Sequence, residues 1–442
     1  MFTTVEIPIW LLSIAGIRAL IAALDRIIGP GIRWFLRRRM ERVLGRVNAR
    51  LERKIEPFKL ARRQDMIVRL LYDPRVMEAV ADHAAEIGVP GSVAFEAARV
   101  YAREIVPGFS ATLYFGFATR AAKWVSRLLY RVRVGRVDAA LLRIDPKATV
   151  IFVMNHRSNA DYVLVTWLVT WLVTWLVAAR GAISFAVGAY FIRRGERNAL
   201  YRRVLARYVQ MATAEGTTQA IFPEGGLGLD GRVGTAKMGL LSYIVQGFEP
   251  GGRDVVFVPV GLAYDRVLED RVLVAAAVAG GRRFRMQPFS VAGHALRLLW
   301  NRMRGRFTGF GTAAAGFGAP VSLRQFRAEG FGIEVLGERL MAAIVAAIVA
   351  VVPVLPVPLV AAALGEGAAS REALRGRVEV LVAQLVAAGA VLKLPPQGVE
   401  AVLAEGLGPL IARGLVTDAL QVVAGEAAVL AFYAASVLQR LA

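Results

Sequence analysis

The chain has 442 residues, of which 56% are hydrophobic, and it carries a formal net charge of +21 with no cysteine. The lack of cysteine excludes disulfide bonds, thiolate catalysis and cysteine-bound metals, and three scattered histidines argue against a zinc site. A chain that is both apolar and basic favours contact with a membrane of anionic lipid over contact with nucleic acid, for which it has no recognisable binding module.

The first feature in chain order is a segment at residues 7–24 that is apolar except for one serine and one arginine. It is slightly shorter than the ~20 residues that span a bilayer, and an arginine-rich stretch follows it at residues 26–53. If the segment spans, the positive-inside rule places the following chain in the cytoplasm; if it lies flat, the arginines contact lipid headgroups. We therefore predict that residues 1–54 attach the chain, peripherally or by a single span, to the cytoplasmic face of the inner membrane.

Three regions follow this segment. Residues 55–140 are rich in Ala, Arg and Val and are predicted to form an N-terminal helical region, and residues 326–442 a C-terminal helical region. Between them, residues 141–325 alternate longer helical stretches with short β-branched runs, which lie at 149–154, 183–187, 219–222 and 255–261. This alternation predicts an α/β fold with a mostly parallel sheet flanked by helices.

An apolar stretch from Met341 to Leu364 is long enough to span a membrane, but three prolines interrupt it. Proline ends or kinks a helix, so only a short unbroken helix remains. We interpret the stretch as a buried helix followed by a prolyl turn, with a second membrane contact as the alternative.

The heptapeptide Asn-His-Arg-Ser-Asn-Ala-Asp at residues 155–161 places a histidine five positions before an aspartate, directly after the first β-branched run. The run is typical of a buried strand, and the heptapeptide of a turn that leads into a helix. If His156 lies on the turn, Asp161 on the first helical turn can fold back toward the imidazole. That contact would fix the tautomer and leave the other ring nitrogen free as a general base. Alternatively, Ser158 and Asp161 form a capping box, which explains the aspartate without chemistry; the spacing alone slightly favours this second interpretation.

Three further blocks follow the heptapeptide in order. They are Gly-Ala-Tyr-Phe-Ile-Arg-Arg at 188–194, Ile-Phe-Pro-Glu-Gly-Gly at 221–226, and Val-Val-Phe-Val-Pro-Val-Gly-Leu-Ala-Tyr at 255–264. The ordered set of four resembles the glycerolipid acyltransferase superfamily of the HxxxxD type, in particular bacterial glycerol-3-phosphate acyltransferase. The resemblance spans residues 55–442, because the stretch at 432–437 is similar to that family's C-terminal helix. It makes residues 141–325 the acyltransferase domain.

The resemblance implies acyl transfer from an acyl-carrier protein or coenzyme A thioester to the sn-1 hydroxyl of glycerol 3-phosphate, which gives lysophosphatidate. His156 would be the base and Asp161 its orienting partner, and neither a metal nor a cofactor other than the acyl donor is expected. Two alternatives stay open. The acceptor could be dihydroxyacetone phosphate or a lysophospholipid, or the chain could be a catalytically impaired, membrane-bound scaffold.

Binding of the acceptor is expected from the second and third blocks. Paired guanidiniums at Arg193 and Arg194 could grip phosphate oxygens, although neighbours on a strand point apart and one of the two would then be solvated. The resemblance makes Arg194 the more important. It also gives Glu224 a role in binding the acceptor through its hydroxyls, with Gly225 allowing close backbone approach. The alternative for Glu224 is a loop carboxylate paired with an arginine.

Three further candidates are weaker. The resemblance implies that Pro259 shapes the acyl-donor side, whereas a proline by itself could merely terminate a strand. Arg157, which adjoins the base, and Lys237, which lies where relatives often carry a lysine, are secondary candidates for binding the phosphate, with solvated surface as the alternative for each. The chain also departs from the family, because Leu-Gly-Leu at 227–229 stands where relatives carry a polar, arginine-bearing loop, and the connection before Gly188 is shorter.

Overall fold

The structure, a computed structural model, describes residues 60–106, 119–168, 198–280, 304, 309–365, 367 and 370–442. The predicted membrane segment, the predicted strand at 183–187 and the block at 188–194 with Arg193 and Arg194 lie outside the described residues.

A single mixed sheet is the centre of the described part of the chain. Its strands are β1 (Arg131–Val137), β2 (Thr149–Met154), β3 (Gln219–Ile221), β4 (Val255–Tyr264), β5 (Thr312–Phe317) and β6 (Val321–Ser322). The strand order is β1-β5-β4-β2-β3, and β6 also pairs with β4. Strand β2 runs parallel to β3 and β4, and β1 runs parallel to β5, whereas β4 is antiparallel to β5 and β6. The predicted α/β fold with a mostly parallel sheet is confirmed.

Helices surround the sheet on both faces. Those before β5 are α1 (Leu60–Leu71), α2 (Pro74–Ile87), α3 (Gly91–Ile105), α4 (Thr119–Leu129), α5 (Ala199–Ala214), α6 (Gly239–Gln246) and α7 (Asp270–Val278). Those after it are α8 (Leu323–Ala328), α9 (Ile333–Val351), α10 (Pro356–Gly365), α11 (Arg371–Ala387), α12 (Val399–Ala412) and α13 (Ala427–Leu441). The helical N-terminal and C-terminal regions are therefore present, and the division into domains stays a prediction.

The central strands are buried along their whole length, as their continuous apolar sequences require. Every residue of β2 and of β4 is buried, which is the pattern of strands covered on both faces. Successive side chains point to opposite faces. Phe152 therefore joins a core that includes residues of α10 and α13, while Val153 joins a second core that includes residues of α5 and α9. The C-terminal helices thus pack on the same sheet that carries the heptapeptide.

Strand β1 is a difference from the sequence prediction, because it lies within residues 55–140, for which only helices were expected. Its sequence, Arg-Val-Arg-Val-Gly-Arg-Val, alternates charged and apolar residues. Such alternation is typical of a half-buried strand, and β1 lies at the edge of the sheet. The arginines obscured this pattern.

The apolar stretch at 341–364 forms a helix and a prolyl turn as predicted, but the helix is only partly buried over residues 341–350. Helix α9 ends at Val351 and α10 begins at Pro356, so Pro353 lies between the two helices, whereas Pro356 and Pro358 lie in the first turn of α10. Over the ranges that the structure describes, no helix has both the length and the apolar character needed to cross a bilayer.

Candidate active site

The carboxyl ends of three neighbouring strands bring the candidate residues to one edge of the sheet. His156 follows the end of β2 by two residues, Glu224 follows β3 by three, and Tyr264 is the last residue of β4. Because β2 is parallel to both neighbours, these ends lie side by side, which is where α/β proteins commonly bind ligands.

The imidazole of His156 is held by Asp161. Its Nδ1 lies 2.9 Å from Asp161 Oδ2, and both side chains are almost fully buried, with 2% and 0% exposed. The same Oδ2 accepts the backbone N–H groups of Arg157 at 2.6 Å and Ser158 at 3.0 Å. The Ser158 hydroxyl in turn accepts the N–H of Ala160 at 3.1 Å, where the helix begins. The orienting contact and the helix cap therefore coexist in one carboxylate, and the two interpretations of Asp161 are not exclusive.

The other oxygen of Asp161 is bound by Tyr264. The tyrosine hydroxyl donates to Asp161 Oδ1 at 2.6 Å. Burial raises the pKa of Tyr264 well above its usual value, and the neighbouring carboxylate raises it further, so the hydroxyl stays protonated and acts as the donor. Tyr264 was missing from the predicted site. Its position as the last residue of the fourth block was the one available signal.

Two aromatic rings enclose the imidazole. Phe222 stacks on His156 with ring centroids 4.3 Å apart at 28°, and Tyr162 meets it edge-on at 5.2 Å and 81°. Phe222 and Tyr162 also contact each other at 5.5 Å. Since Tyr162 is 48% exposed, the ring of His156 lies just beneath the surface of the protein.

The third block and the loop that follows it hold the backbone of His156 at both ends. Glu224 Oε1 accepts the His156 N–H at 3.0 Å, and the Gly228 N–H donates to the His156 carbonyl at 2.9 Å. Burial raises the pKa of the Glu224 carboxyl, while N–H groups of His156 and Gly234 and the Arg157 guanidinium oppose that rise. The hydrogen bonds of Glu224 thus go to backbone rather than to an arginine, and its role toward the acceptor stays a prediction.

Arg157 points into the protein. It is 3% exposed, its Nη1 donates to the Gly231 carbonyl, and its Cζ lies 5.1 Å from the centre of the Phe432 ring in α13. Burial lowers the pKa of the guanidinium, and Glu224 and Asp161 oppose that effect. Its contacts are those of a residue that joins segments of the fold.

Gly225 of the third block lies next to Lys237. Gly225 has φ +67°, and a Cβ there would lie 3.2 Å from Lys237 Cδ. The side chain of Lys237 is exposed, and its backbone N–H donates to the Pro223 carbonyl at 2.8 Å. The methylene stem of the lysine therefore packs over the glycine and leaves the ammonium in solvent, where it is available to an anion.

Pro259 lies inside β4, so its interpretation as a strand terminator is wrong. It is opposite Val153 of β2. On the other side of β4, pairing with β6 covers residues 256–257 and pairing with β5 begins at residue 260. The missing N–H of the proline falls in the gap between these partners, where the ladder requires no donor. Its implied contact with the acyl donor stays a prediction.

Comparisons with known proteins find similarity to acyltransferases. Residues 139–263 match the protein-family model described as Acyltransferase. Three curated relatives are named glycerol-3-phosphate acyltransferase. The relative from Pseudomonas entomophila is 29% identical over 48% of this chain and 27% of its own length. The relative from Pseudomonas syringae pv. syringae is 27% identical over 68% and 36%, and that from Shewanella amazonensis 28% identical over 65% and 36%.

The resemblance predicted from the four blocks is confirmed by these matches. The chain spans about a third of the length of the curated relatives it matches. Among solved structures, the 1-acyl-sn-glycerophosphate acyltransferase from Thermotoga maritima aligns with 64% of this chain and 96% of its own, at 18% identity and a TM-score of 0.27. That score is too low for a structural comparison, and the fold assignment rests on the sheet topology.

Proposed function

We propose that this chain, which carries an acyltransferase domain over residues 139–263, transfers an acyl group from an acyl-carrier protein or coenzyme A thioester to the sn-1 hydroxyl of glycerol 3-phosphate. The observation that carries the proposal is the buried pair of His156 and Asp161, 2.9 Å apart at the carboxyl edge of the sheet. The names of the relatives supply the acceptor. Lysophosphatidate would be the product.

The pair provides a general base with a defined tautomer. Because the carboxylate of Asp161 accepts from Nδ1, that nitrogen carries the proton, and Nε2 of His156 is the basic atom. Nε2 removes the proton of the acceptor's hydroxyl, and the resulting alkoxide attacks the thioester carbonyl. The tetrahedral intermediate collapses with cleavage of the C–S bond, and the departing thiolate takes the proton from the imidazolium. No covalent acyl-enzyme is involved.

Cations beside the third block support binding of a phosphate-bearing acceptor. The exposed ammonium of Lys237 next to Gly225 is suited to a phosphate oxygen, and Arg193 and Arg194 are proposed to supply the remaining charge. Alanine at Arg194 should therefore raise the KM for glycerol 3-phosphate more than it lowers kcat. If the true acceptor carries no phosphate, alanine at Arg194 should leave the KM for that acceptor unchanged.

Attachment to anionic lipid at the cytoplasmic face of the inner membrane belongs to the same proposal. Its support is the net charge of +21 together with the apolar segment and arginines of residues 1–54. Resistance of the protein to carbonate extraction from membranes would favour a single span over peripheral attachment.

A scaffold without turnover is the second candidate, and one observation favours it. Leu227 and Leu229 pack, partly buried, against the core, so this loop presents no cation where relatives carry an arginine-bearing loop. Folded wild-type protein that acylates no acceptor from either thioester would establish this candidate instead of the enzyme.

The deciding experiment assays purified protein with acyl-carrier-protein and coenzyme A thioesters, with and without glycerol 3-phosphate. His156→Ala should abolish transfer. His83→Ala is the matched control, since His83 lies in α2 beside Glu86, away from the carboxyl ends of the strands, and should retain wild-type activity. Acyl transfer that survives in His156→Ala would contradict the mechanism.

A further inference from the structure

We propose that Tyr264 is a positioning residue for acyl transfer, which binds the Asp161 oxygen that His156 does not use and so sets the strength of the Asp161–His156 hydrogen bond. The inference rests on the proposed function for its kinetic consequence, but the contact itself can be tested without turnover.

The hydrogen bonds of Asp161 are divided unequally between its two oxygens. Oδ2 accepts from His156 Nδ1 and from the N–H groups of Arg157 and Ser158, at 2.6 to 3.0 Å. Oδ1 accepts from the Tyr264 hydroxyl at 2.6 Å. Among the described residues this is the one donor recorded for Oδ1, and the carboxylate has no exposed surface. Removing the hydroxyl would therefore leave a buried oxygen without a partner.

Tyr264 is itself fixed in place. It is the last residue of β4, is 1% exposed, and its ring packs against the ring of Tyr130 at 5.3 Å. The Tyr130 hydroxyl donates elsewhere, to the Arg266 carbonyl at 2.8 Å. The end of a buried strand and a packed ring leave the Tyr264 hydroxyl no alternative position, so it restricts rotation of the Asp161 carboxylate.

The direction of the effect follows from charge sharing. A carboxylate that accepts a fourth hydrogen bond spreads its negative charge over more donors and attracts the Nδ1–H of His156 less strongly. Without the Tyr264 hydroxyl, Asp161 becomes the stronger acceptor, and its rotation is restricted by the contacts of Oδ2 alone. The imidazole is then held closer to the carboxylate and less consistently toward the acceptor.

The variant Tyr264→Phe tests this with two measurements on the full chain. With ¹⁵N-labelled histidine the spectrum is simple, because the chain has three histidines. We expect the Nδ1–H resonance of His156 to move downfield in the variant, while the signal of His83, which lies in α2, stays in place. In the acyltransferase assay we expect kcat to fall about 10-fold, with the KM for glycerol 3-phosphate unchanged.

Tyr130→Phe is the matched control, because it removes the hydroxyl of another buried tyrosine, whose ring packs on Tyr264 and whose hydroxyl does not bind Asp161. It should leave the His156 resonance where it is. A folded Tyr264→Phe protein with an unmoved His156 resonance would overturn the proposal. If the variant does not fold, an observable nuclear Overhauser effect between the Tyr264 hydroxyl proton and the His156 Nδ1–H in the wild-type protein supports the contact, and its absence overturns it. If the His156 resonance moves in Tyr264→Phe but the wild-type protein transfers no acyl group, the proposed function is refuted and the contact between Tyr264 and Asp161 is supported.

Discussion

The guanidinium of Arg157 lies over the ring of Phe432, with 5.1 Å between the Arg157 Cζ and the ring centre. The same guanidinium donates to the Gly231 carbonyl, and a Cβ at Gly231 would collide with the Phe432 carbonyl. The heptapeptide, the loop after the third block and the last helix thus close around one buried cation. The packing of α13 therefore bears directly on the loop that carries His156.

We expect Phe432→Leu to lower the free energy of unfolding by about 2 kcal/mol, because a desolvated cation–π contact and part of a buried side chain are lost together. Denaturation in urea measures this. Activity should fall as well, since Arg157 adjoins the base.

The matched control is Phe331→Leu. Phe331 also stacks on an arginine, with the Cζ of Arg339 4.1 Å from the ring centre, but Arg339 is exposed. A cation–π contact in solvent contributes about 0.5 to 1 kcal/mol. If both variants lower the free energy of unfolding by the same amount, burial does not strengthen the Arg157–Phe432 contact, and the argument for Phe432 is wrong.

Asp161→Asn should reduce kcat about 10³-fold or more, because an asparagine cannot accept from all the donors that face this carboxylate and no longer stabilises the imidazolium. Steady-state kinetics with saturating thioester measure the change. Asp73→Asn is the control: Asp73 is also buried, accepts the Arg75 N–H at 3.1 Å and pairs with Arg207 at 2.7 Å. That variant should lose stability but keep kcat. An Asp161→Asn enzyme with a tenth of wild-type activity would contradict the assigned role.

The local half of the site could be predicted from the sequence because it lies within seven consecutive residues. A β-branched run, a turn and a helix start fix the mutual position of His156 and Asp161 through backbone geometry alone. The spacing could not choose between the cap and the orienting contact, and the structure contains both.

The contacts of the site between residues far apart in the sequence could not be predicted, because they depend on which strands are neighbours in the sheet. Glu224 reaches the His156 N–H since β3 pairs with β2, and Tyr264 reaches Asp161 since β4 lies on the other side of β2. A single sequence records no strand order. For the same reason the inward direction of Arg157 was hidden, since its partner Phe432 comes from the far end of the chain.

Asp265 should make the stability of the protein depend on pH. Its two oxygens accept the N–H groups of Thr312 at 2.7 Å and of Val357 at 3.1 Å, so it ties β5 to the start of α10. Burial raises the pKa of Asp265 to about 6, against the opposing effect of these N–H donors. The folded state therefore holds this proton more tightly than the unfolded state, in which the pKa is about 4.

The sign follows from this order of pKa values. The contribution of Asp265 to stability is fully present below about pH 4 and is lost as the pH rises through 6, with a loss of at most about 3 kcal/mol. The neutral variant Asp265→Asn lacks this dependence. Urea denaturation at several values between pH 4 and 7 should show the stability of the wild-type protein falling relative to that of the variant. A difference that stays constant over this range would contradict the raised pKa.

Gly225→Ala should weaken acceptor binding through Lys237. Alanine at φ +67° is strained by about 1 kcal/mol, and its Cβ would lie 3.2 Å from Lys237 Cδ, so the lysine stem must move. Gly88→Ala separates the two effects, because Gly88 has φ +66° with nothing within 4 Å of an added Cβ. Both variants should lose similar stability in urea denaturation. The KM for glycerol 3-phosphate should rise in Gly225→Ala alone, by about 5-fold, because one exposed charge contact of about 1 kcal/mol is lost. An unchanged KM in Gly225→Ala would show that the Lys237 ammonium does not bind the phosphate.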